Sequence, residues 1–486
     1  MVRLQKLLKR TLALAALAAL GALALSACGS QQPKTTAATT GTATAAAPGT
    51  SNDTVWIYSS LPSAGPDRAE AAEIRDGIEV ALQPAVAAKS FHGFHVRYRE
   101  LNDSFIRRVS RRRGAASPST GDKTHSGSTI TTASNTDGWN ATAAAENAHI
   151  AANNPETIAY IGDLNSGATE ISLPILNQAG ILQITPGSGY AGLTNHYKGI
   201  TLASEPDRYY PQPRTRTLLR LIPNDVIEAS AALGVLHGTG CQHVAAWAFG
   251  PASQGTAALL AAVMLTAPRF GMRYYKTPAP TPGPKQPVDS PSSYYGFIHA
   301  LTPDALRCAV VVGVVTPAAV AFTAELRLLS PIPVMGTDGF CNSSWARIPS
   351  TISKAEARNV VAGYYCTTPA LPLREYEGHV RFLKAFRARY HHQPDAYAYY
   401  GYVAAQMVLG GLADTGRGQD NRQQLVLGLI DGFASDATGA FSFDGDGNVR
   451  TNGLGAIAGY GIDTFARGRP VFHRLVNPVT YLLSSG

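Results

Sequence analysis

The chain is poor in charge and in sulfur. Of its 486 residues 15% are charged, and only five are Cys and five Met. It has no C-x-x-C, H-E-x-x-H or phosphate-loop spacing, which removes the commonest zinc, metalloprotease and nucleotide-hydrolase signatures. One apolar run, Leu12 to Ala27, approaches the length of a bilayer span, so a polytopic membrane protein is excluded. No repeat of solenoid period is visible. What is present is a 45% hydrophobic content, too high for a disordered chain, with 47 Gly and 31 Pro. At roughly 150 residues per domain the length fits two globular lobes plus extras.

Residues 1–27 carry Arg3, Lys6, Lys9 and Arg10 ahead of that apolar run, the pattern of a secretory signal. The run ends Leu25-Ser26-Ala27-Cys28-Gly29, which resembles a bacterial lipobox. Cys28 is therefore expected to receive lipid and anchor the chain to a membrane, since two acyl chains hold where one only visits. Residues 28–53, mostly Thr, Ala, Gly and Pro, are expected to form a flexible tether. Removing the four signal cations from the formal +8 leaves +4. Arg107, Arg108, Arg111, Arg112 and Arg113 cluster in a Ser/Thr/Gly-rich stretch. In an exported chain this is a solvated loop near anionic head groups, and no nucleic-acid partner is expected.

The remaining Cys are Cys241, Cys308, Cys341 and Cys366, an even number that in an exported chain argues for disulfides over a metal site. Three connectivities are possible. Cys241 and Cys308 each begin an apolar strand-like run, and neighbouring parallel strands would join their sulfurs, leaving Cys341 with Cys366. Strand and helix patterns alternate along the chain. Strands are expected at 157–162, 181–185, 243–249, 309–316 and 332–336, and helices at 141–152, 168–178, 254–265 and 318–328. Another helical pattern (Ile74, Ile78, Ala81, Leu82) runs to Gln83, where Pro84 intervenes. Such alternation implies an α/β fold with two mostly parallel, Rossmann-like lobes, divided near residue 222.

The ordered motifs identify a resemblance. They are Gly65-Pro66 with Asp76-Gly77-Ile78; Ala159-Tyr160-Ile161-Gly162-Asp163 with Ser166 and Thr169; and Pro174-Ile175-Leu176-Asn177-Gln178-Ala179-Gly180-Ile181 leading to Ile184-Thr185-Pro186-Gly187. Val334-Met335-Gly336-Thr337-Asp338-Gly339, Pro394-Asp395-Ala396-Tyr397-Ala398 and Phe443-Asp444-Gly445-Asp446-Gly447-Asn448 follow. Together they resemble type I periplasmic binding proteins, in particular branched-chain amino-acid receptors of ABC importers. The resemblance implies two lobes joined by a three-strand hinge around an interlobe cleft. Lobe 1 would be 54–222 (insertion about 104–138) plus 368–438. Lobe 2 would be 223–367 (insertion about 277–291) plus 439–475, with 476–486 a tail.

It also implies the site. Ser166 and the loop Gly187-Ser188-Gly189 would hold a ligand carboxylate at a helix N-terminus, with Asp338 taking an ammonium and Asp225 a further polar contact. Ser188 would replace a family Thr that falls on Gly189. The family's aromatic positions fall on Glu70, Gln254 and Thr316, so the ligand is expected to be more polar than leucine, with an extra cation facing Glu70.

Competing patterns are weaker. Gly250-Pro251-Ala252-Ser253-Gln254-Gly255 has one residue too many before the Ser for a hydrolase elbow. The Asp444–Asn448 stretch starts like a calcium loop but places Gly455 where a bidentate Glu belongs, so a turn is expected. Tyr397, Tyr399, Tyr400 and Tyr402 are expected to pack lobe 1. The expectation is thus a monomeric extracytoplasmic solute-binding lipoprotein, without cofactor or metal, that passes a small amino-acid-like or amide-like ligand to an ABC permease. The alternatives are a sensor of the same fold coupled to a signalling partner and an exported serine hydrolase.

Overall fold

The computed structural model describes residues 53–107, 130–131, 138–212, 215–250, 253–275, 297–298, 301, 307–329, 332–342, 345, 360–369, 371–376, 378–415, 421–430, 441–450 and 459–477. Cys28, the signal and tether segments, and most of both expected insertions lie outside them. Among the described residues no helix is long and apolar enough to cross a membrane.

The first sheet is wholly parallel. Its strands run His95–Asn102, Thr54–Leu61, Thr157–Gly162, Leu182–Thr185 and Leu218–Arg220 in spatial order. Strands buried on both faces need continuous apolar runs, and Thr157–Gly162 is buried at every position. On one face Arg68–Ala87 packs on Ala396–Thr415, with His379–Tyr390 beside them. On the other, Ala141–Ala152 and Ser166–Gln178 cover Tyr58, Leu101 and Tyr160. Arg68–Ala87 continues past Pro84, which enters only its last turn, and buried Ala85 holds that turn to the core.

The second sheet has seven strands in the order Arg469–Val476, Tyr460–Ala466, Tyr365–Thr368, Val334–Gly336, Arg307–Gly313, His243–Phe249 and Arg273–Tyr274. The last five are parallel, and the first two add antiparallel at one edge. Asp225–Gly238 and Gln254–Thr266 share one apolar cluster with this sheet, and Pro317–Leu329 contributes to the other. Both bodies are the α/β units with mostly parallel sheets that the strand–helix alternation implies.

The chain passes between the two bodies three times: after Arg220, after Thr368 and before Tyr460. One boundary differs from the sequence reading. Residues 441–450 fall with the first body rather than the second. Phe441, Phe443 and Val449 join its core, and the Arg220 N–H donates to the Gly447 carbonyl at 2.9 Å while the Val449 N–H donates back to Arg220 at 3.2 Å. The alternating apolar side chains suit that face. Asp444 accepts the N–H groups of Asp446 and Asn448, closing a turn.

Two disulfides are present, Cys241–Cys308 and Cys341–Cys366, both within the second body. The first joins the entries of two paired parallel strands. The second ties the short turn Asp338–Phe340 to the strand Tyr365–Thr368. That turn is also held by the Trp345 indole N–H, which donates to the Phe340 carbonyl at 2.9 Å. Loop-closure entropy for a separation of 25 residues gives roughly 3.5 kcal/mol as a ceiling. Replacing Cys341 and Cys366 together with Ala is expected to lower stability by about 2–3 kcal/mol in chemical unfolding. An unchanged denaturation midpoint would show that the turn is held without the bridge.

Candidate functional site

Strand ends from both sheets face one crevice of about 190 Å³. From the first body it is lined by Asp67, Glu70, Trp139, Leu164, Asn165, Ser166, Gly167, Gly187, Gly189 and Tyr397. From the second come Asp225, Ser253, Gly255, Thr256, Leu259, Val312–Val314, Thr337–Gly339 and Asn342. The carboxyl ends of parallel strands are where such a sheet leaves backbone N–H groups free for a ligand.

On the first wall the helix Ser166–Gln178 begins at the rim. Asn165 at its N-cap makes no side-chain capping bond, and helix geometry leaves the N–H groups of Ser166 and Gly167 without intrahelical acceptors. The Ser166 hydroxyl accepts the Tyr190 N–H at 3.1 Å and so joins this helix end to the loop 186–190. A Cβ on Gly167 would stand 2.6 Å from the Trp139 ring, so only glycine lets that indole cover the helix end. The result is a place for an anionic group, favoured by the helix dipole.

The opposite wall is acidic. Asp225 stands at the start of the helix Asp225–Gly238, and Glu228 lies one turn on. A Glu228 carboxylate oxygen accepts the Asp338 N–H at 2.7 Å and the Thr367 hydroxyl at 2.5 Å, fixing the turn that carries Asp338. Burial pushes the Asp225 carboxyl up to about 8; the charge of Asp338 pushes the same way and the Arg220 guanidinium opposes it. Burial, then Asp338 and Asp225, holds Glu228 well above the usual range, and burial also raises Asp338. Three carboxyl groups that resist ionising together are the natural complement of a cationic group.

Arg220, the last residue of the strand Leu218–Arg220 in the first sheet, is fully buried. It donates to the carbonyls of Ser188 at 3.2 Å and Tyr190 at 2.8 Å, to Asn448 Oδ1 at 3.1 Å and to the Thr194 hydroxyl. It thereby fixes the loop carrying Gly187 and Gly189. A Cβ on Gly189 would lie 2.3 Å from Asp225 Oδ1, so glycine is what lets the acid approach the loop.

The crevice brings together Glu70, Ser166, Gly187, Gly189, Asp225 and Asp338. Three expected residues are not among its lining. The Ser188 hydroxyl turns inward to Thr169 Oγ1 at 2.7 Å and to the Asp163 carbonyl at 3.2 Å, so it cannot replace the family Thr. Gln254 opens its helix exposed to solvent while Ser253, Gly255 and Thr256 line the crevice, because a helix turns neighbouring side chains about 100° apart. The strand expected at 309–316 ends at Gly313, and the Thr316 hydroxyl accepts the Ala319 N–H at 3.1 Å as a helix cap.

Sequence reasoning missed Asp67, Trp139, Thr337, Asn342 and Tyr397 as lining groups. Tyr399, Tyr400 and Tyr402 are core residues as expected, whereas Tyr397, one turn from Tyr400, reaches the crevice. The helical offset within that tyrosine set was the available signal. Ser253 serves as an N-cap, accepting the Thr256 N–H at 3.1 Å, and no His lines the crevice among the described residues.

A carboxyl at about 8 in the folded chain and about 3.9 unfolded binds a proton in the folded state that the unfolded chain has released. Asp225 therefore costs the ligand-free protein stability as pH rises from about 4 to about 8. Asp225→Asn is expected to flatten the loss of stability between pH 5 and pH 9 by at least about 1 kcal/mol in urea unfolding. Parallel profiles for the two proteins would refute this.

Residues 61–454 match the family model described as periplasmic binding protein. No curated protein matches the sequence. Among solved structures the chain is similar to a leucine binding protein, LivK, from Thermotoga maritima, with TM-score 0.61 and 16% identity over 88% of this chain and 99% of that one. It is similar to a branched-chain amino acid transporter substrate binding protein, LivJ, from Streptococcus pneumoniae in complex with isoleucine, with TM-score 0.56 and 15% identity over 86% of this chain and 100% of that one. A solute binding protein from R. palustris in complex with benzoate gives TM-score 0.56 and 14% identity over 86% and 95%. At these identities the likeness is one of fold.

Proposed function

The chain belongs to the periplasmic binding protein family, and on that premise we propose that it captures a small amino-acid-like solute between its two lobes and delivers it to an ABC importer. Membership implies a solute-binding role and an extracytoplasmic location. The observation that carries the reading further is that Ser166, on one lobe, and Asp338, on the other, line the same crevice. A carboxylate at the Ser166 helix end and an ammonium at Asp338 give one molecule contacts on both lobes. Contacts that exist only with the lobes together favour the closed form by their full free energy, so binding is closure. Ser166, Gly187 and Gly189 would hold the carboxylate, with Asp338 and Asp225 on the ammonium.

A thermal-shift screen of amino acids and short amides identifies the ligand, and calorimetry then gives its affinity. Asp338→Asn is expected to weaken it roughly 30-fold or more, the cost of removing one partner from a buried charge pair. Full affinity in Asp338→Asn and in Asp225→Asn would sink the assignment. The lipobox-like Leu25-Ser26-Ala27-Cys28 supports a lipid anchor on Cys28. Cys28→Ser is expected to move the protein from the membrane fraction to the soluble fraction, and a variant that stays with the membrane would exclude that anchor.

A further inference from the structure

Thr337 stands between the strand Val334–Gly336 and the turn Asp338–Phe340, at the carboxyl end of a parallel strand. It is 1% exposed, lines the crevice, and its hydroxyl has no hydrogen-bond partner. A Thr in that place ordinarily caps the turn by accepting the N–H two or three residues on. Here each nearby donor is already engaged. The Asp338 N–H goes to Glu228 at 2.7 Å, the Gly339 N–H to Asp338 Oδ1 at 2.7 Å and the Phe340 N–H to the Thr337 carbonyl at 2.9 Å. The N–H of Thr337 itself goes to the Val311 carbonyl at 3.0 Å.

Thr367, on the neighbouring strand and also buried, shows the usual solution, since its hydroxyl donates to Glu228 at 2.5 Å. A buried hydroxyl is rarely left unpaired, because it gives up its bonds to water and gains none in return. An ammonium entering such a crevice has the opposite need. It carries three N–H groups and requires three acceptors once it leaves water. Solute capture as read above supplies two of them, Asp338 and Asp225. Both belong to the same wall as Thr337, and Asp338 follows it directly in the chain.

We propose that the Thr337 hydroxyl is the third acceptor for the ligand's ammonium, which makes the crevice selective for primary amines over N-methylated ones. This rests on the solute-capture reading and adds to it a contact residue and the class of amine. A methyl on the nitrogen removes one N–H. It takes the place of the weakest of the three bonds, the one to a neutral hydroxyl rather than to a carboxylate. That sets a methyl group against Thr337 and leaves the hydroxyl unpaired once more. A site built around an N–H rejects the analogue that lacks it for this reason.

The test is calorimetry of the full chain with two probes. One is the tightest binder among the common amino acids that have a primary amine, and the other is its N-methyl counterpart. The wild type is expected to bind the primary amine at least roughly tenfold tighter, the size of one hydrogen bond to a charged group. Thr337→Val keeps the shape and loses the hydroxyl. It is expected to lose roughly tenfold in affinity for the primary amine, with the N-methyl penalty falling below about threefold. Thr337→Ser, which keeps the hydroxyl, is expected to stay within about threefold of wild type. Because the hydroxyl is unpaired in the ligand-free protein, Thr337→Val is also expected to keep or raise its urea unfolding midpoint. A lowered midpoint, or a variant that does not fold, would give the hydroxyl a structural partner and defeat the inference. So would equal binding of the two probes to wild type, or full affinity in Thr337→Val. A weakened Thr337→Val with an unchanged N-methyl penalty would place the hydroxyl on another part of the ligand and overturn its assignment to the ammonium. Each of these results leaves solute capture intact. If no amino acid binds the wild type, the inference and the function proposed above both fall.

Discussion

A single buried guanidinium organises the boundary between the lobes. Arg220 is the last residue of the first sheet's edge strand, and its four acceptors belong to the loop 188–194 and to the returning segment 441–450. Its backbone pairs with that same segment. Removing a cation from water is expensive, and only several fixed acceptors make such a position tolerable. The loop that lines the crevice at Gly187 and Gly189 and two of the passages between lobes are therefore held by one side chain. Its charge also tempers Asp225, the nearest of the crevice acids to it in effect.

From that anchor follows the electrical asymmetry of the site. Helix N–H groups supply a positive end on one wall, while Asp225, Glu228 and Asp338 crowd the other. Glu228 is buried and does not itself line the crevice; it holds the backbone of Asp338 and so fixes the turn that carries that acid. The Cys341–Cys366 bridge and the Trp345 indole secure the same turn from its other side. A site built on turns is made rigid here by covalent and buried polar contacts, which is what pre-organised recognition requires.

Much of this was legible in the order of residues. Runs such as the mostly apolar Thr157–Gly162 and the Ala-rich Ala141–Ala152 declare strand and helix because a single pattern governs each. The alternation of the two declares parallel α/β lobes. The Cys pairing followed from two strands starting side by side, a local consequence of sheet geometry. Ser166, Gly187, Gly189, Asp225 and Asp338 sit at strand ends or helix starts, which pattern locates to within a residue or two, while the family resemblance is what singled out these residues there.

Which side chains face the crevice was not legible, because that depends on rotation about elements whose neighbours lie far along the chain. Ser188, Gln254 and Thr316 stand within one or two residues of crevice positions, and each is turned away by a local hydrogen bond or a helical step. Trp139 and Tyr397 reach the crevice because Gly167 and the packing of Ala396–Thr415 on Arg68–Ala87 place them there. The assignment of 441–450 to the first body likewise rests on pairing with Arg220, more than two hundred residues earlier. By itself the sequence determined the periodic elements, their class and the chemistry available at strand ends. Tertiary structure alone decided which of those groups meet, since periodicity is a property of neighbours in the chain and a binding crevice is a property of neighbours in space.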